Sequence, residues 1–149
     1  MLEIKEIHNE NEFPEGLTRE QFVDFLHTHL DRFGDDKESI NKCIDYAFSD
    51  ESGKGGFLLA GFYDGKLAGE LIMNDTGMSG YIPEFILVYV AVDASFRNKG
   101  IGRQIVEKSL AMCDGDVKLH VEYENPAKRL YERVGFESKY AEMRWKKDG

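Results

Sequence analysis

Apolar and polar residues alternate along Leu2-Glu3-Ile4-Lys5-Glu6-Ile7, the pattern of a strand with one buried face. From Thr18 the period changes. Thr18 and Gln21 have the spacing of a capping box, and Phe22, Phe25, Leu26, His29 and Phe33 then recur at helical intervals. This predicts a helix from about Thr18 to Phe33. A second helix is predicted over Lys37–Phe48, with Ile40, Ile44, Ala47 and Phe48 on one side. The run Ser52-Gly53-Lys54-Gly55-Gly56 ends that pattern. Strands are predicted over Gly56–Tyr63 and Lys66–Met73. Asp64-Gly65 between them suits a hairpin turn whose two central residues both need positive φ.

Residues 74–83, with Gly77, Gly80 and Pro83, read as a loop. Phe85–Val92 (FILVYVAV) is the most apolar run and predicts a strand buried on both faces. A helix over Gly100–Cys113, a short strand over Val117–Val121 and a helix over Pro126–Val134, closed by Gly135, follow. Phe136–Lys139 and Glu142–Lys146 read as two closing strands. The expected order β-α-α-β-β-β-α-β-α-β-β makes a mixed α/β sheet flanked by helices. The 149 residues suit a single domain spanning 1–149, and no repeat or linker divides them.

Composition narrows the function classes. The chain carries a net charge of −9. Residues 1–96 hold 7 Lys+Arg against 19 Asp+Glu, whereas residues 97–149 hold 12 against 9. Such an acidic chain is a poor binder of nucleic acid, so none is expected as partner. The basic C-terminal part can still hold a small anion, and the acidic part favours a cationic partner. No apolar run approaches the roughly 20 residues that span a bilayer, and the polar N-terminus does not read as a secretory signal. Cys43 and Cys113 lack disulfide or zinc spacing, so reduced thiols in a cytoplasmic protein are expected. His8, His27, His29 and His120 form no metal-ligand pattern, so no metal is expected.

The candidate chemistry sits in Val90-Ala91-Val92-Asp93-Ala94-Ser95-Phe96-Arg97-Asn98-Lys99-Gly100-Ile101-Gly102. A buried strand ends, a polar turn follows, and a helix opens with two glycines. Free N–H groups at a helix start, and the positive end of its dipole, favour a pyrophosphate, and glycine lets it approach closely. Arg97, Lys99 and Arg103 add positive charge. The spacing fits neither the dinucleotide GxGxxG pattern nor a P-loop.

This segment resembles motif A of the GNAT acetyltransferase superfamily, [R/Q]-x-x-G-x-[G/A] after a strand. Asn125-Pro126-Ala127-Lys128-Arg129-Leu130-Tyr131-Glu132-Arg133-Val134-Gly135-Phe136 resembles the family's motif B, with Ala127 one place early. The two motifs and the strand before them cover residues 84–136. The resemblance implies a GNAT-like fold, a mixed and mostly antiparallel sheet of six to seven strands with about four helices. It implies acetyl-coenzyme A as co-substrate, its pantetheine arm along the strand at Val90 and Val92. The pyrophosphate would lie on the amides of Asn98, Lys99, Gly100, Ile101 and Gly102, with Arg97 and Arg103 at the rim and Asn125 on the arm. Tyr131 would stand as the general acid, and the N–H of Val90 would polarise the thioester carbonyl. Ile86 occupies a common position of the general base, so Glu84, on the same strand face, is the first candidate for that role, with Glu70 and Tyr89 behind it.

Two functions of different class follow. One is N-acetyl transfer to an amine, a small molecule or a peptide and cationic if the Asp35, Asp36, Asp75 and Glu84 charges face it. The other is a coenzyme A-binding sensor or interaction module of the same fold. Either suits a monomer or a homodimer.

Overall fold

The computed structural model describes residues 1–148. Five strands form one sheet in chain order: β1 (Leu2–Ile7), β2 (Gly56–Tyr63), β3 (Lys66–Asp75), β4 (Phe85–Val92) and β5 (Val117–Leu119). The first four pair antiparallel, and β5 joins β4 in parallel. Helices α1 (Arg19–Leu30) and α2 (Lys37–Ala47) precede β2. α3 (Ile101–Met112) makes the crossover to β5, and α4 (Ala127–Val134) follows it.

Local signals set most of these elements. Thr18 accepts the Gln21 N–H while the Gln21 side chain accepts the Thr18 N–H, which closes the predicted capping box on α1. Asp64 and Gly65 both take positive φ, 51° and 83°, as the tight β2–β3 hairpin demands. α1 is shorter than expected. Asp31 after it takes φ 51°, and a single 3-10 turn carries the chain to Phe33.

The sheet separates two apolar layers. Ile7, Leu58, Ala60, Ile72, Tyr89 and Ala91 meet Phe22, Val23, Leu26, Ile40 and Ile44 of α1 and α2 on one face. Leu59, Leu71, Met73, Leu87, Val90 and Val92 meet Ile101, Ile105, Val106 and Tyr131 of α3 and α4 on the other. The parity of β4 changes within the strand. Met73 pairs with Leu87 and Ile72 with Tyr89, so Val88 is an extra residue, a β-bulge. Leu87 and Val90 therefore share one face and Tyr89 the other.

Two glycines let α3 approach. Gly61 and Gly69 lie opposite each other in β2 and β3. A Cβ on Gly69 would fall 2.6 Å from Ile105 Cδ1, and one on Gly61 would fall 3.0 Å from it.

The strand count differs from the expected six to seven. Residues 136–148 lie in no strand, and Tyr140, Met143 and Trp145 are exposed. Alternation makes a strand only where an edge can pair with it. β5 stops at Leu119 rather than Val121 and so offers three residues of edge.

Gly69→Ala should destabilise the protein by about 1–3 kcal/mol through overpacking against Ile105. Urea unfolding measures this, and the added Ile105→Val change should restore part of the loss.

Candidate functional site

Pairing between β4 and β5 covers only Phe85–Val117, Ile86–Lys118 and Leu87–Leu119. From Val88 to Val92, β4 keeps β3 on one side and, among the described residues, has no strand on the other. The bulge falls at the first unpaired position. The sheet thus presents a stretch of β4 edge whose free N–H and C=O groups can pair with an extended guest.

That edge runs directly into the helix-start loop. Asp93 caps the turn after β4, its carboxylate accepting the Ser95 N–H at 2.9 Å and the Ser95 hydroxyl at 2.8 Å. Those bonds hold its carboxyl below the usual carboxylate range. Asn98 and Gly100 then take positive φ, 65° and 75°. Gly100 precedes the first residue of α3 and supplies no side-chain cap. The opening N–H groups of α3 are thereby left for another acceptor. Arg97, Lys99 and Arg103 surround this end and are exposed. Arg103 reaches Glu107 at 3.4 Å, and Lys99 lies 5.5 Å from the Tyr63 ring centroid. Gly102 faces inward, where a Cβ would lie 3.2 Å from Leu130 and 3.4 Å from Val92. It lets α3, α4 and β4 meet.

The structure explains why a glycine and a phenylalanine follow Tyr131. Gly135, at φ 117°, donates to Glu132 O at 3.1 Å, and Phe136 N–H donates to Tyr131 O at 2.9 Å. These two bonds and an edge-on Tyr131–Phe136 contact at 5.9 Å form a Schellman ending. The ending locks Tyr131 into the layer beside Ile105 and Val90. Burial pushes its phenol up to about 12. Among the described residues its hydroxyl makes no hydrogen bond. Asn125 uses its side-chain oxygen to accept the Ala127 N–H at 2.9 Å, so it shapes the start of α4.

The expected base candidates are dispersed. Glu84 accepts the Asp116 N–H at 2.7 Å and the Gly80 N–H at 3.3 Å, and these bonds lower its pKa. It ties the 74–83 loop to the entry of β5. A carboxylate so committed is a weaker proton acceptor than a free one. Glu70 is fully buried between Ala60 and Ala91 of the neighbouring strands, on the α1–α2 face. Neither of its oxygens has a partner among the described residues. Burial raises its pKa well above the ordinary carboxylate range. Tyr89 donates to Asp35 at 2.5 Å, pinning the loop between α1 and α2 to the sheet. Burial, then Asp35, pushes its pKa up.

A cavity of about 610 Å³ lies beside the bulge, lined by residues including Tyr46, Asn74, Met78, Tyr81, Ile86 and Val88. Sequence reasoning missed Tyr46 and Asn74. A polar Asn ending the apolar run Leu71-Ile72-Met73 was the available signal.

Residues 54–138 match the family model described as an acetyltransferase (GNAT) domain. No curated relative matches the chain. Solved structures that share the fold include the following three. A possible acetyltransferase from Clostridium difficile 630 is 21% identical, with TM-score 0.67, over 98% of this chain and 97% of that one. An aminoglycoside N-acetyltransferase, solved in complex with coenzyme A, is 14% identical, with TM-score 0.71, over 100% and 96%. A ribosomal-protein-alanine N-acetyltransferase from Brucella melitensis biovar Abortus 2308 is 17% identical, with TM-score 0.65, over 98% and 99%.

Glu84→Gln should lower the thermal midpoint at pH 7 by weakening its two amide contacts. Because the folded pKa is depressed, wild-type Glu84 stabilises above its unfolded value near 4.3. That stabilisation is lost as pH falls through the folded pKa. Melting curves from pH 7 to pH 3 should show the gap between the two proteins closing.

Proposed function

The chain belongs to the GNAT acetyltransferase domain family, and on that premise we propose that it transfers an acetyl group from acetyl-coenzyme A to an amine by direct attack. The observation that carries this reading is the continuity of the free β4 edge with the uncapped start of α3. A pantetheine arm is an extended chain with amides, and a pyrophosphate is an anion, so each part of the co-substrate meets the group that suits it. Arg97, Asn98, Lys99, Gly100, Ile101, Gly102 and Arg103 would hold the phosphates. Val90 and Val92 would pair with the arm. Asn125 would support it from the start of α4.

Bound there, acetyl-coenzyme A supplies a thioester carbonyl. The N–H of Val90 polarises that carbonyl oxygen as negative charge develops on it. The amine nitrogen forms the new C–N bond as the C–S bond breaks. Tyr131 serves the departing sulfur. A thiol has a pKa near 8.5, whereas burial holds Tyr131 up to about 12. Full proton transfer from Tyr131 would then be uphill by about 5 kcal/mol. Tyr131 therefore acts as a hydrogen-bond donor to the developing thiolate, which takes its proton later from water.

The amine must shed its own proton. Glu84 is committed to backbone amides, Glu70 does not line the cavity, and Ile86 supplies no base. The acceptor accordingly enters as free amine and gives up its last proton to water. For a lysine-like amine of pKa about 10.4, about three units of deprotonation at pH 7 cost about 4 kcal/mol.

The test is coenzyme A titration with a panel of amines, following thiol release. Binding and release are expected, and failure to bind any form of coenzyme A would overturn the reading. Tyr131→Phe should lower kcat about 10–100-fold with coenzyme A affinity unchanged. kcat/KM should rise about tenfold per pH unit up to the acceptor's own pKa. A plateau near neutrality would instead reveal a protein base.

A further inference from the structure

The cavity beside the bulge has few polar groups left to offer. The Tyr46 hydroxyl donates to Asp75 O at 2.6 Å, and the Thr76 hydroxyl donates to Pro83 O at 2.7 Å. These two hydroxyls are thus spent on backbone, and the third in the lining, that of Tyr81, stands at the exposed rim. Met78, Tyr81, Ile82, Ile86 and Val88 make the rest of the wall largely apolar, with Lys118 at the β5 side. Tyr81 and Met78 stand exposed at the rim.

Among the described residues that line the cavity, one polar side chain is both buried and incompletely satisfied. Asn74 pairs with Ile86 across the sheet and is 9% exposed. Its amide nitrogen donates to Cys43 Sγ at 3.4 Å, while its Oδ1 has no partner among the described residues. A buried carbonyl left without a donor costs about 1–3 kcal/mol. Such a cost persists in a folded protein where the group has a use. Asp75, next in the chain, also borders the cavity, but successive strand residues point their side chains to opposite faces. Its carboxyl belongs to the other side of the sheet, where Asp114 and burial act on it.

We propose that this cavity binds the acceptor, and that the acceptor is an amine carried on an apolar body, an arylalkylamine or alkylamine, with one N–H donated to Asn74 Oδ1. The proposal rests on the acetyl-transfer reading for the fate of the amine, but not for the binding itself. A polyhydroxylated or polycationic acceptor would lose water on entry and, away from the exposed rim, find one buried acceptor atom, Asn74 Oδ1, in return among the described residues. An apolar chain loses nothing against Met78, Tyr81, Ile82, Ile86 and Val88. The apolar wall favours the neutral form of the amine, the form that attacks.

The experiment uses 2-phenylethylamine, ethanolamine and a three-ring aminoglycoside as probes, on the full chain and on Asn74→Leu. Probe binding is followed by calorimetric titration without co-substrate, and turnover by thiol release with acetyl-coenzyme A. Wild-type protein should bind phenylethylamine at least tenfold more tightly than either polar probe. Asn74→Leu should weaken that binding about tenfold, while its thermal midpoint stays level or rises, because a buried orphan has been removed. A lower midpoint with unchanged phenylethylamine affinity would make Asn74 a structural residue and overturn the proposal. Preference for the aminoglycoside or for ethanolamine would overturn it as well. If phenylethylamine binds as expected but coenzyme A does not, the cavity assignment stands and the transferase reading falls. If coenzyme A binds and only polar amines are acetylated, the reverse holds.

Discussion

A parallel ladder that stops after three residues leaves half of β4 facing an open gap, and the rest of the site is arranged around that gap. The bulge at Val88 lies where the ladder ends. It shifts Val90 and Val92 onto the layer that holds Tyr131, and Tyr89 onto the layer that α1 and α2 cover. A regular strand would put Leu87 and Val90 on opposite faces. The single extra residue thus decides which side chains border each half of the gap. Past the turn at Ala94–Phe96, the chain that carries this edge leads to the uncapped first turn of α3.

Two close approaches hold this arrangement. Ile105 fits over paired glycines in β2 and β3, and Gly102 lets α4 approach α3 and β4. Both are matters of a few tenths of an ångström, so both set where the α3 N-terminus points. Tyr131 is held in a different way. The bonds of Gly135 and Phe136 fix the end of α4 and press a phenylalanine ring against the tyrosine. A phenol kept dry by this packing has its pKa raised by burial.

The acidic residues of the first two-thirds of the chain are put to structural work. Glu84 joins the 74–83 loop to the entry of β5, Asp93 caps the turn after β4, and Asp35 pins the α1–α2 loop through Tyr89. Glu70 and the Asn74 oxygen are the exceptions, buried polar groups with no partner among the described residues. They differ in setting, since Asn74 lines a cavity and Glu70 is walled in between strands.

Much of this was legible in the chain itself, because it follows from local chemistry. The capping box at Thr18, the Asp64-Gly65 hairpin, the buried run Phe85–Val92, the glycine-opened helix and Gly135 are set by neighbours within a few residues. What could not be read was whatever depended on residues distant in sequence. Phe136–Lys139 and Glu142–Lys146 read as strands, but a strand exists only if an edge accepts it, and β5 is only three residues long. Glu84 looked like a free carboxylate until folding brought Asp116 to it across 32 residues. The cavity draws on α2, β3, the loop after it, β4 and β5 at once. Periodicity and capping are short-range energies written in order along the chain. The emptiness of a hydrogen-bonding site depends on every group that could have filled it, and only the folded chain counts those.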